Sequence, residues 1–245
     1  MAIHLTRGVK FILISCFVVF LIQQTGDQFL GTHLLGALAL TSSDILHHSY
    51  FWQFVTYSFV HSDVMHLVFN LMMIAFIGGE LEVLWGPRRF LQYYFFCTIS
   101  PALIYFLLST FSPYGTHMPM IGSSGAVYGL LLAYGILFGD RVLHFMMLFP
   151  MKAKHFVWLL VAIELLTTVY SSGGTWVGLA QLSGMAAGFA FLWVRTQLIL
   201  AQKGKGQILP FGRPKKKRSQ HLKLVVNHDT SSDPRNTDSK PKTWH

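Results

Sequence analysis

Residues 122–129 read Gly-Ser-Ser-Gly-Ala-Val-Tyr-Gly, and the uncharged apolar run they open continues through Leu130 to Phe138. Gly125, Gly129 and Ala133 recur at every fourth position, so a helix places them on one face. Ala180, Gly184 and Gly188 repeat the spacing in the last apolar run. Such strips of small residues let helix backbones approach closely in lipid. The two runs are therefore expected to pack together, bringing Ser124 at the head of one near Gln181 within the other. Spacing alone leaves two readings open: a packing seam with interhelical hydrogen bonds, or a functional site.

Composition says what surrounds these runs. Of 245 residues, 52% are hydrophobic and 12% charged, against about a quarter charged in a soluble domain. The solvent is lipid, and the 21 Phe and 6 Trp suit lipid-facing surfaces and interfacial belts. Cys16 and Cys97 lie in apolar runs and read as small hydrophobes. They indicate no disulfide framework.

Six apolar spans are expected: Val9 to Ile22, extending to about Leu30, then 64–79, 91–110, 124–138, 155–170 and 176–195. The first follows Arg7 and Lys10 but lacks a small-residue cleavage site, so it reads as a retained helix. Two spans are short enough to lie inside the bundle. With a cytoplasmic N-terminus, all 19 Lys and Arg fall on one side, because residues 27–63, 111–123 and 171–175 contain neither. That is the positive-inside pattern, and it places both termini in the cytoplasm. The net charge of +9 belongs to the tail: residues 195–245 hold 12 Lys/Arg against 3 Asp/Glu. The organisation expected is a short N-terminus (1–8), a membrane domain (9–196) and a basic, disordered, solvated tail (197–245), with attraction to anionic lipid as the alternative reading. Charge alone does not support a nucleic-acid partner.

Spans two, four and six enter from the outer side. Near their outer ends sit His61, His66 and Asn70, then Ser123 and Ser124, then Gln181. Polar side chains at membrane depth are costly and face a protein interior or a wet cavity. His66 and Asn70, four residues apart, share one helix face. Glu164 in span five has no evident partner in the sequence.

The ordered set resembles the rhomboid family of intramembrane serine proteases. Gly122-Ser123-Ser124-Gly125 is similar to the family's Gly-x-Ser-Gly nucleophile motif. His61 followed by Met65-His66-Leu67-Val68-Phe69-Asn70 resembles its second-helix motif. Gly79-Glu80-Leu81-Glu82, with Gly86 and Arg89-Phe90, resembles the entry to the third helix. Gln181-Leu182-Ser183-Gly184-Met185-Ala186-Ala187-Gly188 matches the sixth-helix pattern, which the family begins with His. The resemblance spans residues 9–196. It implies an all-α, six-helix rhomboid-like bundle, located by analogy in a bacterial inner membrane.

By this resemblance Ser124 is the nucleophile, and its N–H, His66 and Asn70 donate to the developing oxyanion. His61, Tyr128, Gly122 and Gly125 are supporting residues, with Tyr128 placed to stack beneath the catalytic His. That His is replaced by Gln181. An amide does not accept a proton near neutral pH, so Gln181 can orient the serine but not deprotonate it. His117, His61 and His66 are the available substitutes, each with a commoner solvated, packed or oxyanion role. A second departure is Trp52-Gln53, where the family commonly has Trp-Arg; the loop's stability or gating is the property affected.

The first reading is therefore a rhomboid-like protein that binds transmembrane segments and cleaves them poorly or not at all. The alternative is an active protease with an unorthodox base. A channel or transporter ranks last, since no inverted repeat or broken-helix pair stands out. No cofactor, metal-ligand cluster or phosphate-cradling loop is indicated.

Overall fold

A computed structural model of the chain describes residues 4–111, 119–145, 149–170 and 175–204. The first apolar run forms α1 (Arg7–Phe29). The following loop carries three short helices, α2 (Leu34–Leu38), α3 (Ser42–His48) and α4 (Gln53–Thr56). The second span is a continuous helix, Val64–Trp85. It comprises α5 (Val64–Met73), a π-helical stretch over Ile74–Gly78 and α6 (Gly79–Trp85). Next come α7 (Pro87–Phe111), α8 (Ser124–Phe138), α9 (Ala153–Tyr170) and α10 (Thr175–Gly204). A two-stranded antiparallel hairpin, β1 (Val142–Phe145) and β2 (Phe149–Lys152), joins α8 to α9.

Five of the six expected spans are helices long and apolar enough to cross a membrane, and Ser124–Phe138 is a shorter apolar helix. The short helix is the enclosed one. Ala126, Val127, Leu130, Leu131, Ala133 and Tyr134 are buried in the main core with residues from α1, α5, α6, α7 and α9. By contrast α9 is lightly covered: Trp158, Val169 and Tyr170 are more than 70% exposed, as lipid-facing residues can be. The chain is thus an all-α, multi-pass membrane protein. α10 runs past Arg195 to Gly204, so helix continues beyond the boundary expected at 196. Residues 205–245, with most of the basic tail, lie outside the described residues.

The small-residue strips meet as expected. A Cβ at Gly184 would collide with the carbonyl of Gly125, so the backbones of α8 and α10 touch there. One turn on, a Cβ at Gly129 would lie 2.5 Å from Cys97 Sγ and 3.1 Å from the Gly184 carbonyl oxygen. Tyr93 of α7 uses the gap left by Gly188 and donates to the Gly129 carbonyl at 2.6 Å. Cys97 and Cys16 are free and buried.

Two carboxylates tie together one end of the bundle. The carboxylate of Glu82 accepts from Thr6 Oγ1 (2.5 Å) and from the Gly8 and Val9 N–H groups, each at 2.8 Å. It therefore serves the free donors and positive dipole end of α1. Glu80 accepts from Arg141 Nη1 (2.5 Å) and Tyr134 (3.2 Å). At the opposite end, Leu40 and Met120 pair antiparallel with two 3.0 Å hydrogen bonds. That bridge joins two of the segments that lack Lys and Arg.

The Trp52-Gln53 departure turns out to be a buried staple. Gln53 is fully buried; its Oε1 accepts from Thr41 N at 3.1 Å. Its Nε2 donates to Asp44 Oδ2 at 3.3 Å and to the Gly36 and Ala37 carbonyls at 3.4 Å. Both ends of the amide are used, so a neutral side chain organises this loop without a guanidinium.

Candidate active site

The site is built at the start of α8. Gly122 precedes it with φ +91°, a left-handed conformation that glycine adopts without steric cost. Its N–H donates to the Tyr57 carbonyl at 2.9 Å. Tyr57 is anchored in turn on α7, where its hydroxyl donates to the Thr98 carbonyl at 2.7 Å. Ser123 occupies the N-cap position, yet its side chain makes no capping hydrogen bond. The first-turn N–H groups of α8 therefore receive no cap from Ser123, and a helix start of this kind suits a developing negative charge.

His66 faces this turn. Ser62 and Asp63 stand just before the apolar run of α5, and Asp63 caps it by accepting from His66 N at 2.9 Å. Hydrogen bonds from the His66 and Ser62 donors hold the Asp63 carboxyl below its usual range. His66 Nδ1 lies 3.2 Å from Ser62 Oγ. The other edge of the ring presses on Gly122, where a Cβ would stand 2.6 Å from both Cε1 and Nε2. The His61 ring meets it edge to face at 5.0 Å. His61 is fully buried, with Nδ1 3.1 Å from the Phe59 carbonyl. Burial, with His66 beside it, pushes the His61 imidazole down to about 4. Asn70, one turn after His66 and buried, donates Nδ2 to the His66 carbonyl at 3.0 Å. Its amide keeps a second donor hydrogen.

Ser124 Oγ is buried and has no hydrogen-bond partner. Gln181 is half-buried on α10, three residues before the Gly184 that touches Gly125. Ser124 and Gln181 thus lie beside the contact of α8 and α10 at Gly125 and Gly184, but no hydrogen bond joins them. His117 lies outside the described residues.

Tyr128 and Glu164 meet in a way the sequence does not display. Glu164 has a partner: the Tyr128 hydroxyl donates to its Oε2 at 2.7 Å. Helix rotation explains it. Tyr128 lies one turn below Ser124, and its ring reaches sideways to α9. A pair 36 residues apart in the chain leaves no local pattern to read. The signal in the sequence was only that a carboxylate in a membrane span needs a donor. Gly178 of α10 completes this corner, where a Cβ would stand 3.2 Å from Glu164 Oε1. Among the described residues, no group of three His, Cys, Asp or Glu could hold a metal ion.

Comparison with known proteins agrees with this architecture. The Rhomboid domain model matches residues 48–198, more than half of the chain. The chain is 29% identical over 121 residues to "Rhomboid protease GluP" of Bacillus subtilis, covering 49% of this chain and 22% of that protein. It is 26% identical over 184 residues to "Rhomboid protease GlpG" of Haemophilus influenzae, covering 75% and 88%. With "Rhomboid protease GlpG" of Yersinia pestis it shares 29% over 141 residues, covering 56% and 44%. The match thus spans less than half the length of two of these three relatives.

Proposed function

The chain belongs to the rhomboid family, and from that premise we propose that it binds transmembrane segments of other membrane proteins while cleaving them poorly or not at all. One observation carries this reading: the buried Ser124 hydroxyl has no hydrogen-bonded base, and the residue at the family's histidine position is Gln181. A serine hydroxyl needs such a base to become nucleophilic. In a soluble serine protease, losing the base lowers turnover by roughly 10⁶.

The rest of the acylation machinery is proposed by residue. Ser124 takes the place of the nucleophile. The Ser124 N–H, His66 and Asn70 stand where an oxyanion would be held. His61 backs His66, while Gly122 and Gly125 permit the close approaches around the serine. Gly129, Gly184 and Gly188 hold α8, α10 and α7 together. The proposed setting is a bacterial inner membrane with both termini in the cytoplasm, and the basic tail against anionic headgroups.

A second reading, an active protease with an unorthodox base, is favoured by the formed turn at Gly122 and His66. Cleavage of a model transmembrane substrate by full-length protein in liposomes separates the two. The expected result is a silent wild type and a silent Ser124→Ala, with cleavage gained in Gln181→His. Cleavage by wild type that Ser124→Ala abolishes would sink the impaired reading.

A further inference from the structure

His66 stands among the donors proposed for an oxyanion, yet a neutral imidazole donates from only one of its two nitrogens. Which nitrogen carries the proton is set by what the other meets. Ser62 and Asp63, the two residues just before α5, decide it here.

They form a chain of hydrogen bonds that ends on the ring. Asp63 Oδ1 accepts from His66 N at 2.9 Å, and Oδ2 accepts from Ser62 Oγ at 2.8 Å. A serine has one hydroxyl proton, and this one is committed to a carboxylate, the stronger acceptor. Ser62 Oγ therefore offers a lone pair to His66 Nδ1, 3.2 Å away. Nδ1 is the donor in that contact. The neutral ring then carries its proton on Nδ1 and a lone pair on Nε2.

That polarity is the reverse of what an oxyanion needs. Nε2 lies on the ring edge pressed against Gly122, where a Cβ would stand 2.6 Å from it, two residues before Ser124. The adjacent ring obeys the same logic and supplies no proton. His61 Nδ1 faces the Phe59 carbonyl at 3.1 Å, and a carbonyl only accepts, so the His61 proton is also on Nδ1. Its buried Nε2 has no partner.

We propose that Ser62 and Asp63 are positioning residues that hold neutral His66 with an accepting Nε2, a brake on cleavage separate from Gln181. To donate to an oxyanion, His66 must carry its proton on Nε2 instead and give up the bond to Ser62. The inference rests on the impaired-cleavage reading above and adds a second cause to it. Neither Ser62 nor Asp63 touches the reacting atoms.

The test has two readouts on full-length protein. The first is nitrogen NMR of ring-labelled histidine at about pH 8, where an imidazole is neutral, with the His66 signals assigned by their loss in His66→Gln. Wild type should show a protonated Nδ1 and a bare Nε2. Ser62→Ala, which leaves Asp63 free to cap His66 N, should show a mixture or the reverse, and Ser62→Thr should restore the wild-type pattern. The second readout is cleavage of a model transmembrane substrate in a Gln181→His background. There Ser62→Ala should raise kcat about two- to tenfold, the weight of one hydrogen bond in the tautomer balance, with KM unchanged. A Ser62 that served only the fold would lower kcat instead. A proton on Nε2 in wild type, or a wild-type pattern that persists in Ser62→Ala, would overturn the relay. A released tautomer with no gain in kcat would overturn the brake. Silence of Gln181→His with and without Ser62→Ala would overturn the missing-base reading and the brake together, while the NMR result still judges the relay.

Discussion

The imidazole of His66 closes on the backbone of Gly122, so that no side chain fits at 122. A Cβ there would lie 2.6 Å from two ring atoms, and φ +91° disfavours an L side chain independently. The same turn donates to Tyr57 and leads into Ser124. Gly122→Ala should destabilise the protein by about 2–4 kcal/mol, combining backbone strain and overpacking. The check is a lower thermal unfolding midpoint in detergent. In a Gln181→His background, the displaced His66 ring should also lower any gained cleavage.

Gly184 and Gly36 make a matched pair. A Cβ at 184 would strike the Gly125 backbone, which cannot move aside, whereas a Cβ at 36 meets nothing within 4 Å. Gly184→Ala should therefore cost about 1–3 kcal/mol by forcing α8 and α10 apart. Gly36→Ala should be neutral or stabilise by up to about 1 kcal/mol. Unfolding midpoints of both variants measured together test the α8–α10 contact. Equal effects would contradict it.

Glu82 holds the start of α1 through both carboxylate oxygens. In Glu82→Gln one oxygen becomes an amide nitrogen facing donors, so at least one buried N–H or hydroxyl loses its acceptor. The expected loss is about 1–3 kcal/mol. Limited proteolysis should show earlier cutting near residues 4–10 than in wild type. An unchanged digestion pattern would mean that α1 docks by its apolar face alone.

His61 makes stability pH-dependent. Burial lowers its folded value from 6.5 to about 4, so the neutral ring is the folded form. Above about pH 6.5 its contribution is complete. As pH falls from 6.5 toward 4, the unfolded chain binds a proton that the folded chain refuses, and stability drops by up to roughly 3 kcal/mol. Carboxylates also titrate at the acid end, so the diagnostic is a difference. The acid-side fall in unfolding midpoint should be shallower in His61→Gln than in wild type.

The spans, their apolar character, the small-residue strips and the polar layer at one end could all be read from the chain. They depend on local composition and on the 3.6-residue period, which a sequence displays directly. The meeting of Gly125 with Gly184 was equally legible, since glycine at every fourth residue has few other uses in lipid. The family motifs likewise identified Ser124, His66, Asn70 and Gln181 as the residues to examine.

Tertiary structure decided where each polar group finds its partner. Glu164 meets Tyr128, Glu82 serves the start of α1, Gln53 staples a loop, and Ser124 is left with no partner at all. These outcomes turn on how far each helix rotates and which neighbour it faces across several ångströms. Hydrogen bonding demands a donor within about 3 Å, a condition that residue types and spacing do not specify. The sequence therefore determined a membrane bundle with a serine at one end. Only the packed structure determined that this serine stands alone and that a carboxylate on the next helix takes the hydroxyl one turn below it.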